Sequence, residues 1–283
     1  MKIWVITMAL TFSLAATLRA QNLYVANGNG NTIGEYGLDG SMVNASLISG
    51  LNFPQFMAIS GDDLFVANAE SGTIGEYTTS GATIAASLIT DLDGPAGLVI
   101  SGNDLFVVNN QNGTVGEYTT SGATVNSSLI SGLNYPGDIA ISGNDLFVNT
   151  YQSGRYTFGE YTTSGTVINP SLISVVYTPS GMVISGNDLF IASQNGGYIS
   201  EYTTAGATVT ADLISGLNGP DGLAVLGNDL FVVSDGTGTA GEYTLSGATV
   251  NASLFTGLSN PIGIAIIPEP STFALAGMGA AAS

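Results

Sequence analysis

The chain has 283 residues, with 21 Asp and Glu against 3 Lys and Arg, and a formal charge of −18. So few cations exclude nucleic acid and anionic membranes as partners, because both are held by basic side chains. Neither Cys nor His occurs. Disulfides, thiolate or imidazole zinc sites, thiol nucleophiles and Ser-His-Asp triads are therefore excluded. Only 8% of residues are charged while 45% are hydrophobic, a composition that folds rather than staying disordered. Gly, at 39 residues, stands at about twice its usual share of roughly 7%, which calls for many turns.

Residues 1–20 read MKIWVITMALTFSLAATLRA. Lys2 gives a positive start, residues 3–18 an apolar run, and Ala20 a small residue for cleavage, with Ala16 as the alternative. This is the pattern of a secretory signal peptide. Its removal takes Lys2 and Arg19 and leaves Arg155 as the only cation. An exported chain without cysteine must draw its stability from its core and from closure of the fold.

From residue 22 a unit of about 40 residues recurs. One Leu returns at Leu23, Leu64, Leu105, Leu146, Leu189 and Leu230, spaced by 41 residues with a single 43. A Tyr returns in step at Tyr36, Tyr77, Tyr118, Tyr161, Tyr202 and Tyr243, and a Pro at Pro54, Pro95, Pro136, Pro179, Pro220 and Pro261. Each unit holds four short runs rich in β-branched and aromatic residues, divided by turn signals such as Ser-Gly-Asn-Asp. Such runs are strands, and four antiparallel strands per 40 residues make a propeller blade. The first repeat begins at a second strand, and the last ends with a first strand, residues 262–266. A ring closed by pairing the terminal strands predicts this offset. A solenoid would need polar caps instead. The expectation is an all-β, six-bladed β-propeller over residues 22–267.

The unit resembles the NHL-type repeat in its Pro-x-Gly start, its Asn-Asp-Leu-Phe-Val run and its Ile/Val-x-Glu-Tyr run before Ser-Gly. The resemblance specifies fold and leaves function open, since propellers host binding modules, lactonases, lyases and scaffolds. Ligands of such folds sit where second-to-third and fourth-to-first strand loops share one face. There the second strands are expected to end in Asn27, Asn68, Asn109, Thr150, Ser193 and Ser234. Asp138, Asp221 and Asp235 add carboxylates, and Phe53, Tyr135 and Tyr177 flank the Pro positions. Gluconolactonase-like propellers, which share the blade count, hold a divalent metal with Glu, Asn and Asp on this face. That resemblance places Asp221 and Asp235 near comparable positions; with Asp138 they are the candidate metal ligands, and calcium is the cation such oxygen donors would take. Repetition of Asn and Ser in every blade points instead to satisfied backbone groups at strand ends. Glu35, Glu76, Glu117, Glu160, Glu201 and Glu242 form a second ring, one per blade, expected to be solvated or hydrogen-bonded. The two-residue insertion in Tyr151-Gln-Ser-Gly-Arg155-Tyr156 breaks the repetition on the ligand face. Asn27, Asn68, Asn109, Tyr151 and Arg155 are the candidate ligand-binding residues.

After residue 267 comes Pro268-Glu269-Pro270-Ser-Thr and an apolar run. This resembles the PEP-CTERM sorting signal of Gram-negative bacteria, which implies processing by an exosortase-type membrane protease and surroundings rich in exopolysaccharide. Thirteen residues follow Pro270 and none is basic, which is short of the roughly 20 needed to span a bilayer. Two functional classes remain. One is a non-catalytic exported binding or scaffolding module, with polysaccharide or an envelope protein as partner and no cofactor. The other is a metal-dependent hydrolase of the gluconolactonase type. A calcium-stabilised structural protein is a third reading that rests on charge alone. Near-identical repeats weigh against catalysis, because an active site needs blades to diverge.

Overall fold

Runs of four to nine residues in which β-branched and aromatic side chains alternate with small ones become strands throughout. The structure is a computed structural model that describes residues 21–152 and 154–267. The expected signal peptide, residues 1–20, and the sorting residues Pro268, Glu269 and Pro270 lie outside the described residues.

Twenty-four strands form six four-stranded antiparallel sheets. From inside to outside, blade 1 is Pro261–Ile266, Asn22–Asn27, Thr32–Gly37 and Met42–Ser49. Blade 2 is Pro54–Ser60, Asp63–Asn68, Thr73–Thr78 and Thr83–Ile89. Blade 3 is Pro95–Ser101, Asp104–Asn109, Thr114–Thr119 and Thr124–Ile130. Blade 4 is Ile139–Ser142, Asp145–Gln152, Arg155–Thr162 and Val167–Val175. Blade 5 is Pro179–Ser185, Asp188–Ser193, Tyr198–Thr203 and Thr208–Ser215. Blade 6 is Pro220–Leu226, Asp229–Ser234, Thr239–Thr244 and Thr249–Thr256. The first strands touch in cyclic order, each against the next and the last against the first. The chain is a six-bladed β-propeller. Blade 1 is closed by the two ends of the described chain, with Leu23 opposite Ile266, Tyr24 opposite Ala265 and Val25 opposite Ile264.

The repeated turns have local causes. Ser101 pairs with Asp104, so Gly102-Asn103 is a two-residue hairpin loop. Gly102 has φ +60°, and Gly61, Gly143, Gly186 and Gly227 match it. Only Gly takes this first position of a type II′ turn without strain. In the third strand the Tyr118 ring lies back over Gly116, where an added Cβ would stand 2.7 Å from the ring. Gly34, Gly75, Gly159 and Gly241 serve the same rings in their blades. In blade 5 Ser200 stands there instead, its hydroxyl donating to the Ala211 carbonyl, and Tyr202 is less buried.

The core is divided into six clusters, one at each blade interface. Phe65, Phe106, Phe147, Phe190 and Phe231 anchor five of them at 2% exposure or less. Burial of such a ring is worth about 1.5–3 kcal/mol. Tyr24 takes the place in blade 1, and its hydroxyl donates to the Thr79 carbonyl at 3.1 Å. The outer strands carry exposed Val43, Ile84, Val125, Val209 and Val250. Their pairing with the third strand slips by a bulge in every blade, which twists the edge and blunts it as a template for other chains. Among the described residues no helix is long and apolar enough to cross a membrane.

Candidate functional site at the channel mouth

Five of the six first strands begin at their Pro and that of blade 4 shortly after it, and the residue after each Pro stands on the wall of a mouth cavity of about 400 Å³. Those six wall residues are Gln55, Ala96, Gly137, Ser180, Asp221 and Ile262, one per blade and no two alike. One residue further in, the six positions read Phe56, Gly97, Asp138, Gly181, Gly222 and Gly263. Here the strands converge. An added Cβ on Gly222 would meet the Ile262 carbonyl oxygen, and one on Gly263 the Gln55 carbonyl oxygen. Four glycines therefore make a constriction, and Phe56 and Asp138 are the two side chains built into it. Below lies a second cavity of about 330 Å³, lined almost wholly by apolar residues of the first strands. Phe56 borders both cavities.

Asp138 is buried, and both carboxylate oxygens accept backbone N–H bonds. Oδ1 takes Ile139 N at 2.9 Å, and Oδ2 takes Met182 N of the next blade at 2.8 Å. Burial pushes its pKa up to about 7 despite those two donors, which favour the charged form. Asp221, on the wall, is also raised well above the usual range, first by burial and then by repulsion from Asp235 and Asp138. Gln194 Nε2 donates to Asp221 Oδ2 at 3.4 Å and to Asp235 Oδ2 at 3.2 Å. The mouth thus brings Asp221 and Asp235 together under one amide, while Asp138 serves as a staple between blades 4 and 5. No group of three or more Asp or Glu disposed to hold a metal ion occurs among the described residues.

Asn27, Asn68 and Asn109 end their second strands, buried and just outside the cavity wall. Asn27 Nδ2 donates to Thr32 Oγ1 and its Oδ1 accepts Ser259 N. Asn68 Oδ1 accepts Asn52 N, and Asn109 Nδ2 donates to Thr114 Oγ1. These are bonds that tie loops to strand ends. Asn109 Oδ1 is buried without a partner. Thr150 does not end its strand, contrary to the repeat: the insertion lengthens the hairpin, with Tyr151 opposite Tyr156 and Gln152 opposite Arg155. Tyr151 and Arg155 stand exposed on that hairpin. The ring of glutamates lies on the third strands, partly buried. Glu76, Glu117, Glu160 and Glu242 are raised by burial and then by the neighbouring Asp63, Asp104, Asp145 and Asp229. In blade 1 Asn22 replaces that Asp and donates to Glu35 at 2.7 Å.

Several wall residues escaped the sequence reading. Asn149 stands where other blades have Val or Ala. Its Oδ1 accepts Gly137 N at 2.8 Å and Asp138 N at 2.6 Å, which is why the first strand of blade 4 starts late, at Ile139. Gln55, Asn110, Gln111, Ser180, Gln194 and Asn260 also line the mouth. The available signal was departure from the repeat beside each Pro and each second-strand end.

No family model matches the chain, and no curated protein is similar to it in sequence. Solved structures share its fold. A chain of the nidogen/laminin complex aligns with TM-score 0.76 at 16% identity, covering 87% of this chain and 98% of the other. Virginiamycin B lyase from Staphylococcus aureus aligns with TM-score 0.64 at 20% identity, over 86% and 84%. A gluconolactonase from Xanthomonas campestris aligns with TM-score 0.64 at 12% identity, over 77% and 81%. The nidogen/laminin complex and two enzymes at such low identity establish the propeller and nothing finer.

Proposed function

We propose that the protein is an exported, non-catalytic binding module of the cell envelope or extracellular matrix, with its ligand seated in the channel mouth. One observation carries this reading: the repeat is nearly uniform elsewhere, yet the six wall residues beside the Pro positions all differ. Divergence confined to one concave face marks a ligand site on a repeated scaffold. The chemistry of that face suits recognition better than turnover. Its polar groups are amides, a hydroxyl and two carboxylates, and the carboxylates are engaged by Gln194 and by burial rather than poised against a nucleophile. The signal-peptide and PEP-CTERM resemblances supply the address and an exosortase-type protease as the processing partner.

The test is retention of envelope and matrix extracts from the native host on the immobilised protein, beside a lactone-hydrolysis assay in EDTA and in millimolar calcium. Retention of a constituent, lost in Gln194→Ala, with no hydrolysis in either buffer, is the expected result. Calcium-dependent hydrolysis abolished by Asp221→Asn would transfer the site to the hydrolase reading. Mass spectrometry of the native protein is expected to show loss of 16–20 N-terminal residues and cleavage near Pro268-Glu269-Pro270.

A further inference from the structure

Five tyrosines gather in one sector of the mouth face. Tyr135 is 68% exposed, Tyr177 50% and Tyr151 36%. The Tyr151 ring leans on Tyr156 with centroids 5.0 Å apart, and Tyr177 meets Tyr198 edge-on at 5.8 Å. Thr178 Oγ1 donates to the Tyr156 hydroxyl at 3.3 Å, and Tyr151 N donates to Asn134 O beside Tyr135. The patch is therefore continuous from blade 4 to blade 5. It also runs into the mouth: Tyr135 is two residues from Gly137 on the wall, and Gln194 N donates to Thr178 O at 2.9 Å.

Backbone strain marks one ring of this shelf, Tyr135, and one on the mouth wall, Phe53. Tyr135 has φ +45° and Phe53 φ +53°, at a position where blades 3 and 6 use Gly94 and Gly219 at φ +65°. Side chains with a Cβ pay about 1–2 kcal/mol for that conformation. Bulky rings held there, where Gly would serve the turn, point to a functional role for the rings.

We infer that this shelf and the amide-lined mouth together bind an uncharged polysaccharide chain. The inference deepens the binding-module reading and rests on it. A sugar ring offers neighbouring hydroxyls, each donor and acceptor, and a flat C–H face. Side-chain amides match the first, since each carries both a donor and an acceptor. Exposed tyrosine rings match the second, with apolar faces and a polar tip that tolerates water. Charge selects among sugars. The mouth wall has two carboxylates and no cation, the shelf hairpin adds Arg155, and the whole chain has 21 Asp and Glu against 3 Lys and Arg, so a uronate or sulfated chain would be repelled on balance.

Native gels containing dextran, mannan, galactan or xylan, against alginate and polygalacturonate, test this with the full exported protein. Retardation by at least one neutral polymer is expected, persisting in high salt. Tyr177→Ala, Tyr151→Ala and Gln194→Ala should each weaken it about tenfold, the loss of roughly one aromatic or polar anchor. The outer-strand control Val125→Ala should leave it unchanged, and melting of all four variants should stay near wild type. Retardation by the uronates alone, retardation that salt or Arg155→Gln abolishes, retardation indifferent to the tyrosines, or none in any gel overturns the inference. If an envelope protein is retained at the mouth while every gel is negative, the glycan inference falls and the binding module stands. If neither is held, both fall.

Discussion

The outer half of each blade and the channel mouth obey different rules. Outside, Gly-Glu-Tyr, Ser-Gly and the terminal Leu-Ile of the fourth strand return almost unchanged, because each serves a contact that recurs six times. The Ser-Gly turn of one blade rests on the Leu of its neighbour: an added Cβ on Gly122 would stand 2.8 Å from the Leu88 carbonyl oxygen. At the mouth the same scaffold presents Gln55, Ala96, Gly137, Ser180, Asp221 and Ile262, six residues with no packing duty in common. Repetition marks what holds the ring together, and its loss marks what faces a ligand. Changes in the belt should therefore cost stability and spare binding, and changes at the mouth the reverse.

The largest effect is expected from the closure. Deleting residues 262–266 removes the partner of Leu23, Tyr24 and Val25 and leaves one blade with three strands and an open edge. Light scattering and thermal melting should show self-association and loss of a cooperative transition. A truncated protein that stays monomeric with wild-type melting would show that the terminal pairing contributes nothing.

Next in size is the pH dependence at Asp138, a mouth-region residue with a structural duty. Its folded pKa of about 7 lies above the ordinary value of 3.8, so the folded state keeps a proton that the unfolded chain has already released. Stability must then fall as pH rises through this window, by up to about 4 kcal/mol at 1.36 kcal/mol per pKa unit. Repulsion among the other carboxylates adds a similar trend, but it is common to wild type and variant. Asp138→Asn accepts only one of the two N–H bonds, so it should be less stable than wild type near pH 4 and lose less on going to pH 7. Denaturant melts at both pH values check this, and parallel losses would show that Asp138 does not titrate in the window.

The propeller, its blade count and its closure were legible in the sequence, because strand period, turn residues and 41-residue spacing are all local or additive signals. The face was legible too, since loop order alone puts Asp221, Asp235, Tyr151 and Arg155 on it. The wall itself was not. Asn27, Asn68 and Asn109 attracted attention by recurring, and the structure gives each a strand-end bond, though not the same one in each blade. Asn149 and Gln194 escaped because each occurs once, and a single amide means nothing until the ring brings it beside Asp138 or Asp235. Near-identity of the repeats, which weighs against catalysis in the sequence, holds for the belt and fails within two residues of each Pro, so at the mouth that argument no longer applies.

A belt substitution gives the next effect. Gly116→Ala would place a Cβ 2.7 Å from the Tyr118 ring, and overpacking of this kind costs about 1–3 kcal/mol. Melting should drop by several degrees while binding by the folded protein is unchanged. Serine at this position in blade 5 sets a limit on the cost: Tyr202 is less buried there, so the site tolerates a side chain, and a loss at the lower end of the range would mean that blade 3 relaxes the same way.

The smallest effect separates the two regions most sharply. Tyr135 packs little, at 68% exposure, and holds φ +45°. Tyr135→Gly removes a strain of about 1–2 kcal/mol and returns about 0.5–1 kcal/mol to the entropy of the unfolded chain. The balance is a net gain of about 0–1.5 kcal/mol, which equilibrium denaturation resolves. The same substitution takes a ring from the tyrosine shelf and should weaken binding in the gels. Stability that rises while binding falls would mean that the tyrosine is kept for its ligand at the expense of the fold. A variant that melts lower than wild type would instead make Tyr135 a packing residue, and its strained backbone would lose its meaning as a sign of function.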